Sequence, residues 1–297
     1  MQHFYPTHMP LGAALLGVRL LTRAQRSVNV NNGLFTVMRT LFVTSTNREL
    51  FRAYAHHFFT TFPHREYDLV VYTEDQDHSW IPHWVKHIHH IPTEDPELWR
   101  RRTELQCAES ATDYRSTPSR WVPKVATLRL AVHTYSLWTD LYSATAWIDA
   151  DCVFSKAMPT NERFTLQMRR YAKPILIHNR THAQMPYPES GFIWFDSQSY
   201  MPGVREWDST YPHAPTLAVN LLREKWLDNA ILVKQAGHDA YQWGEILTKT
   251  PLLRNYWGDL SGSNHGKPHP QRNSVTAAYW THRKGKAKHT KSTNSTG

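Results

Sequence analysis

Cysteine is nearly missing from this chain: Cys107 and Cys152 are the only two in 297 residues. They lie far apart and form no C-x-x-C spacing, which argues against a disulfide framework and against a zinc ribbon. Two reduced thiols suit a cytosolic protein, and that is the expected location. Long apolar runs are missing as well. Crossing a bilayer takes roughly 18–20 consecutive apolar residues, and the best stretch, Leu11–Leu21, is short and carries Arg19. Acidic residues are scarce overall and absent from both ends, residues 1–37 and 281–297. Lys and Arg outnumber Asp and Glu by 34 to 25, a net charge of +9. Such a balance favours anionic partners such as nucleotide diphosphates, nucleic acid or an acidic membrane surface, without choosing among them. Disorder of the whole chain is excluded by what is abundant: 40% apolar residues, with 12 Trp, 14 Tyr and 11 Phe. The 19 histidines make the charge sensitive to mild acid.

This length fits one large domain or two small ones. Residues 1–37, with Arg19, Arg23 and Arg26, read as a basic N-terminal extension. A membrane-surface or targeting helix over Leu11–Arg26 and an extra packing element are the alternatives. From Met38 an alternating pattern begins. Thr40–Ser45 is a β-branched run, and Asn47 is placed to cap a helix through about Phe62, with Phe51, Tyr54, Ala55 and Phe58 on one face. Asp68–Thr73 reads as the second strand of a βαβ unit with a right-handed crossover. Residues 76–120 resist assignment apart from a helix over Pro96–Ala108. Pro123–Trp138 reads as a helix, with Pro123 in its first turn. Strands are expected near Ile175–His178 and Phe192–Phe195, helices over Thr216–Lys225 and Asp239–Leu247, and a last strand over Val275–Trp280. No internal repeat is visible. The working division is an extension over 1–37, one domain over 38–288 and a disordered tail over 289–297.

The stretch Ala144-Thr-Ala-Trp-Ile-Asp-Ala-Asp-Cys-Val-Phe154 carries the chemistry. Asp149 and Asp151 stand one residue apart where an apolar strand ends. In extended backbone, residues i and i+2 point to the same side, so both carboxylates face one point. Two like charges that close repel unless a cation lies between them. Hard oxygen ligands of this kind suit Mg²⁺ or Mn²⁺, ions that in turn bind phosphates. The competing reading is an exposed strand end with two solvated acids. In sheets of parallel strands, ligands gather at the carboxyl ends. That edge would hold Thr44–Asn47, Glu74–Asp75 and Asp149–Asp151 together.

Four segments in order carry a resemblance. Trp121-Val-Pro-Lys124, then Thr145–Phe154, then Glu189-Ser-Gly-Phe-Ile-Trp-Phe-Asp196, then Gly237-His-Asp-Ala-Tyr-Gln-Trp243 resemble the core of nucleotide-sugar glycosyltransferases of the GT-A fold. His282-Arg-Lys-Gly-Lys-Ala-Lys288 is similar to the H-x-x-G-x-x-K pattern of glycogenin-like and related retaining galactosyltransferases. The resemblance covers roughly residues 40–290 in segments. It departs from the family where the Trp that usually closes the last motif is absent after Lys288. It implies an α/β fold, a Rossmann-like mixed sheet, mostly parallel and flanked by helices. It also implies transfer of a sugar from a nucleotide diphosphate sugar, with a UDP-sugar the first expectation, to a hydroxyl acceptor such as a glycan.

On that resemblance Asp149, Asp151 and His282 hold the metal, Mn²⁺ before Mg²⁺ because manganese tolerates a nitrogen ligand better. His265 is the rival third ligand, and an exposed His282 beside a basic tail is the alternative. Lys288 and Lys124 meet the diphosphate, with Arg129 a further candidate, or these are surface charges. Asp239 is the acid nearest the acceptor hydroxyl and Glu189 its weaker rival, although Asp239 also suits a helix cap. Apart from the resemblance, Thr44 and Glu74 or Asp75 are candidates from their place at strand ends to meet ribose or base, with strand-end polar residues of no function the alternative. Trp194, Trp243 and Trp257 stack on sugar or belong to the core. Asp239 suits inversion, whereas the C-terminal motif resembles retaining families. The alternatives are a nucleic-acid or polyanion binder without catalysis and a metal-dependent phosphoesterase. The latter lacks the extra His and Asp clusters of two-metal hydrolysis. No specific nucleic acid is expected as a partner, and the basic ends suggest peripheral contact with an anionic membrane.

Overall fold

The computed structural model describes residues 38–108, 117–135, 141–182, 185–197, 213–227, 239–261 and 274–282. All of them fall within the unit Val37–Gly297. Strand β1, Thr40–Ser45, matches the β-branched run. Asn47 then caps the next helix as its sequence implies, its side-chain oxygen accepting the Leu50 N–H at 2.8 Å. That helix, α1, runs through Arg48–Leu50, a π-helical stretch Phe51–Ala55 and His56–Thr61. Strand β2, Leu69–Thr73, pairs parallel with β1, which completes the βαβ unit. The region that resisted assignment holds β3, His87–His90, and a one-turn helix α2, Ile91–Glu94. Helix α3, Pro96–Ala108, begins after Asp95, whose carboxylate accepts the Leu98 N–H at 3.3 Å. Helix α4, Val122–Tyr135, leads into β4, Ala144–Ile148.

Beyond β4 come β5, Cys152–Phe154; α5, Asn161–Arg169; β6, Ile175–His182; and β7, Met185–Asp196. Helices α6, Ala214–Leu227, and α7, Asp239–Lys249, precede β8, Trp257–Asp259, and β9, Trp280–His282. One expectation is corrected. Val275–Ala278 is a 3₁₀ helix, not the start of a strand. The Ala277 N–H bonds the Ser274 carbonyl and the Tyr279 N–H the Thr276 carbonyl, so the chain is coiled until Tyr279. The strand therefore starts later and reaches His282.

Seven strands form one sheet in the order β3-β2-β1-β4-β7-β6-β8. Only β7 runs against its neighbours, so the pairs β3/β2, β2/β1, β1/β4 and β6/β8 are parallel. The fold is thus a mostly parallel α/β sheet flanked by helices. Both faces are covered, which is why the inner strands β2 and β4 read as nearly continuous apolar runs. Leu41, Val43, Val70, Tyr72, Trp147, Ile193 and Phe195 pack beneath α3, α4, α6 and α7. Phe42, Leu69, Val71, Ala146, Ile148, Phe192 and Trp194 face the other way, onto α1, α5 and the β5/β9 pair. The period of two along each strand decides which helices a residue meets. Burying some 50 apolar residues among those described, eight of them alanine, is the main driving force for the fold, at about 25 cal/mol per Å² of apolar surface removed from water.

Candidate functional site at the carboxyl edge

Because β1, β2, β3 and β4 are parallel, their carboxyl ends share one edge. The edge carries Asn47 after β1, Glu74 and Asp75 after β2, and Asp149 after β4. The carboxylates of Asp149 and Asp151 meet there, although not by strand alternation. The strand ends at Ile148, and a turn closed by Cys152 N–H to the Asp149 carbonyl, at 3.1 Å, swings Asp151 back toward Asp149. Strand β9 then pairs antiparallel with β5, placing His282 opposite Cys152. The His282 Nε2 lies 2.7 Å from Asp151 Oδ1 and 3.6 Å from Asp149 Oδ2. One ligand atom from each of the three lies within 4.8 Å of the others, the only such group of metal-binding side chains among the described residues.

Burial separates this cluster from a solvated strand end. The side chains of Asp151 and His282 are 5% and 8% exposed, and that of Asp149 is 24% exposed. Two carboxylates so close together need a compensating charge. Part of it comes from Lys124, in the first turn of α4. Its ammonium lies 3.1 Å from Asp149 Oδ1 and also donates to the Ser190 carbonyl at 2.6 Å and the Ser190 hydroxyl at 3.0 Å. Lys124 is 5% exposed, so it is not a surface charge. The Trp147 indole N–H donates to the same Oδ1 at 2.9 Å, and its ring lies 5.2 Å from the ammonium. Asp149 Oδ1 is therefore engaged twice from the α4 side, while Oδ2 faces His282.

The floor of the cluster is Gly191. Its carbonyl accepts the Asp149 N–H at 2.9 Å. A Cβ at this position would stand 2.8 Å from His282 Cε1, 2.9 Å from Nδ1 and 3.3 Å from Asp149 Oδ2. Only glycine leaves room for the imidazole to lie against β7. Two carboxylate oxygens and one imidazole nitrogen, converging over a bare backbone, are the donor set that a hard or borderline divalent ion takes.

The other sequence candidates fall as follows. The Thr44 hydroxyl is fully buried and donates to the Ile148 carbonyl at 2.7 Å, tying β1 to the strand that ends at Asp149. Glu74 accepts from the Asn47 amide and the Arg102 guanidinium. Asp75 accepts the Arg48 backbone N–H at 2.6 Å. On the same loop Asp77 is pulled down to about 2, first by the Ser79 backbone N–H and then by the Ser79 side chain. Glu189 stands on β7 two residues before Gly191, and Asp239 is the first residue of α7. Arg129 reaches Asp95, at 3.4 Å, and not the aspartate cluster. Trp194 and Trp243 are core residues, and Trp257 is half-buried on β8. Lys288 and His265 lie outside the described residues. Trp147, Ser190 and Gly191 had been given no individual role. The period of two placed Trp147 on the side of Asp149, but nothing local announced the neighbours of Ser190 and Gly191.

No family model matches the chain, and no curated protein sequence matches it. Among solved structures, mouse xyloside xylosyltransferase 1 in its apo form aligns with a TM-score of 0.40 at 13% identity, covering 74% of this chain and 84% of that one. The mannosyltransferase Ktr4p from S. cerevisiae aligns with a TM-score of 0.32 at 9% identity, over 78% of this chain and 62% of that one. Its complex with GDP gives 0.31 at 8% identity, over 79% and 64%. These are distant likenesses of chain path, and neither chemistry nor substrate follows from them. What the molecule itself defines is an α/β protein with a buried carboxylate–imidazole cluster at the carboxyl edge of its sheet.

Proposed function

We propose that this protein is a metal-dependent glycosyltransferase that moves a sugar from a nucleotide diphosphate sugar, a UDP-sugar first, to a hydroxyl acceptor such as a glycan. One observation carries the reading: Asp149, Asp151 and His282 converge within 4.8 Å at the edge where ligands of parallel sheets collect. These three residues would hold Mn²⁺, or Mg²⁺. A bound ion supplies charge neutralisation for the diphosphate as the sugar–phosphate bond breaks.

The remaining roles belong to the chain's own side chains. Lys124 and Trp147 fix Asp149 through Oδ1, leaving Oδ2 as the oxygen that faces His282. Glu74 and Asp75, at the end of β2, line the nucleoside end of the edge, while Thr44 acts from inside the sheet. Lys288 meets the diphosphate. Asp239, or Glu189 in its place, orients the acceptor hydroxyl and accepts its proton. The basic ends of the chain make peripheral contact with anionic lipid, and the protein is cytoplasmic. Among the described residues no helix is long and apolar enough to cross a membrane.

The test is release of nucleoside diphosphate from a panel of uridine and guanosine diphosphate sugars, with Mn²⁺, with Mg²⁺ and with chelator. Turnover of one donor that needs metal and vanishes in Asp151→Ala is the expected result. Salt-sensitive polyanion binding that survives Asp151→Ala, with no donor bound or turned over, sinks the proposal in favour of a non-catalytic binder. Metal-dependent hydrolysis of simple phosphoesters, without sugar transfer, points to a phosphoesterase.

A further inference from the structure

Strand β7 leaves its partner β6 beside the cluster. Ile177 pairs with Ile193, yet the next residue, His178, pairs with Glu189. Ser190, Gly191 and Phe192 therefore have no partner on β6, although β7 continues its ladder with β4 through Phe192 and Ile148. A bulge of this kind re-aims the residues it carries. Here they are the ones that receive Lys124, bond the Asp149 N–H and underlie His282.

The segment that delivers His282 packs along this bulge in three steps. Thr276 meets His178, Nε2 to Oγ1 at 3.0 Å. Trp280 packs on Phe192, with ring centroids 4.8 Å apart. His282 lies over Gly191. The middle contact is apolar and non-directional, so it resists separation but tolerates sliding. The first is a directional hydrogen bond between two side chains that are both fully buried. It is extended by the Ser274 hydroxyl, 2.9 Å from that of Thr276. The bond joins the β6 residue at the register jump to the 3₁₀ turn immediately ahead of β9.

We propose that His178 is a positioning residue: the β5/β9 ladder fixes the register of His282, and the His178–Thr276 bond anchors the turn ahead of β9 on the bulge, and so holds the His282 imidazole against Asp151. The proposal rests on the metal-site reading above. Outer-shell partners of metal-ligating side chains typically change metal affinity by about 10–100-fold when removed, and the effect here, relayed through backbone, sits near the lower end.

The experiment uses the full chain with Mn²⁺ alone as probe, free Mn²⁺ being counted by electron paramagnetic resonance. His178→Phe and Thr276→Val each remove the bond, and each is expected to weaken Mn²⁺ binding about tenfold. His178→Gln, which keeps a polar nitrogen near the position of Nε2, restores most of the affinity. The double variant His178→Phe/Thr276→Val is no weaker than either single one, because both delete the same interaction. Thr276→Val keeps the shape of the side chain and carries the test if His178→Phe does not fold. A purely structural role lowers the unfolding free energy of these variants and leaves Mn²⁺ affinity at the wild-type value; that outcome overturns the proposal. If wild type does not bind Mn²⁺, the metal reading fails on its own. The positioning claim is then decided by the His282 ring resonances of metal-free protein. They shift in His178→Phe and Thr276→Val but not in His178→Gln if it holds, and stay put in all three if it does not.

Discussion

Gly191→Ala is the sharpest perturbation of the candidate site, because one methyl group there tests the proposed metal binding directly. The added Cβ would meet His282 Cε1 at 2.8 Å and Nδ1 at 2.9 Å, closer than side-chain carbons approach without displacement. The imidazole belongs to β9, whose backbone is paired with β5, and it cannot rotate out cheaply, since its side chain is 8% exposed. Overpacking of this kind costs about 1–3 kcal/mol. Relief by pushing His282 outward takes Nε2 away from Asp151 and spoils the ligand geometry that the proposed metal site needs. The variant should therefore lose at least about tenfold in Mn²⁺ affinity in addition to its loss of stability. Gly258→Ala provides the control. Its Cβ would meet Leu176 Cδ2 at 2.9 Å and Lys173 Cγ at 3.1 Å, a comparable clash against β6 with no residue of the cluster involved. Denaturant unfolding and Mn²⁺ titration of both variants give the comparison. The reasoning is refuted if Gly191→Ala binds Mn²⁺ like wild type, or if Gly258→Ala loses as much affinity.

Asp95 is buried, which raises its pKa, but hydrogen bonds and charge from Arg223, the Leu98 N–H and Arg129 outweigh this and leave it below the usual aspartate range. A carboxylate depressed on folding contributes stability above its unfolded pKa, about 4, and loses it as the pH falls through the folded value. Unfolding free energy measured between pH 5 and pH 2 (a window of about three units around those values) should fall less steeply in Asp95→Asn than in wild type; equal slopes would contradict the assignment. Asp196 is fully buried and bonded to Arg169 at 2.8 Å. Asp196→Ala strands that guanidinium and should cost about 3–5 kcal/mol in chemical denaturation. Asn47→Ala removes the cap of α1 and a partner of Glu74, so a loss of about 1 kcal/mol or somewhat more is expected. With Mn²⁺ held as proposed, the ion should quench tryptophan fluorescence in part through Trp147, whose N–H bonds Asp149, and the quench should be smaller in Trp147→Phe.

The parts legible in the sequence were those whose cause is local. Thr40–Ser45 was read to the residue, because a β-branched run followed by an Asn cap leaves one interpretation. Pro96–Ala108 was read equally well, and its proline occupies the first helical position. The shared carboxyl edge also followed, since strand–helix–strand spacing enforces parallel pairing. The strand β3 was missed: His-Ile-His-His is a poor strand former alone and is held by its pairing with β2. The segment ahead of β9 was misread for a related reason. Val275 and Thr276 look like strand residues, yet Thr276 is drawn into a turn by a buried histidine from β6. The convergence at the site is the same effect on a larger scale. Asp149 and Asp151 announce themselves as a pair, but what surrounds them is assembled from three other places: Lys124 from α4, Ser190 and Gly191 from a register jump in β7, and His282 from β9. No spacing rule links these segments, because the sheet order that joins β4 to β7 and not to β5 is a property of the packed whole. A glycine at a register jump is the nearest thing to a local sign. It marks a place where something from outside the strand must come close, and here that something is the imidazole of His282.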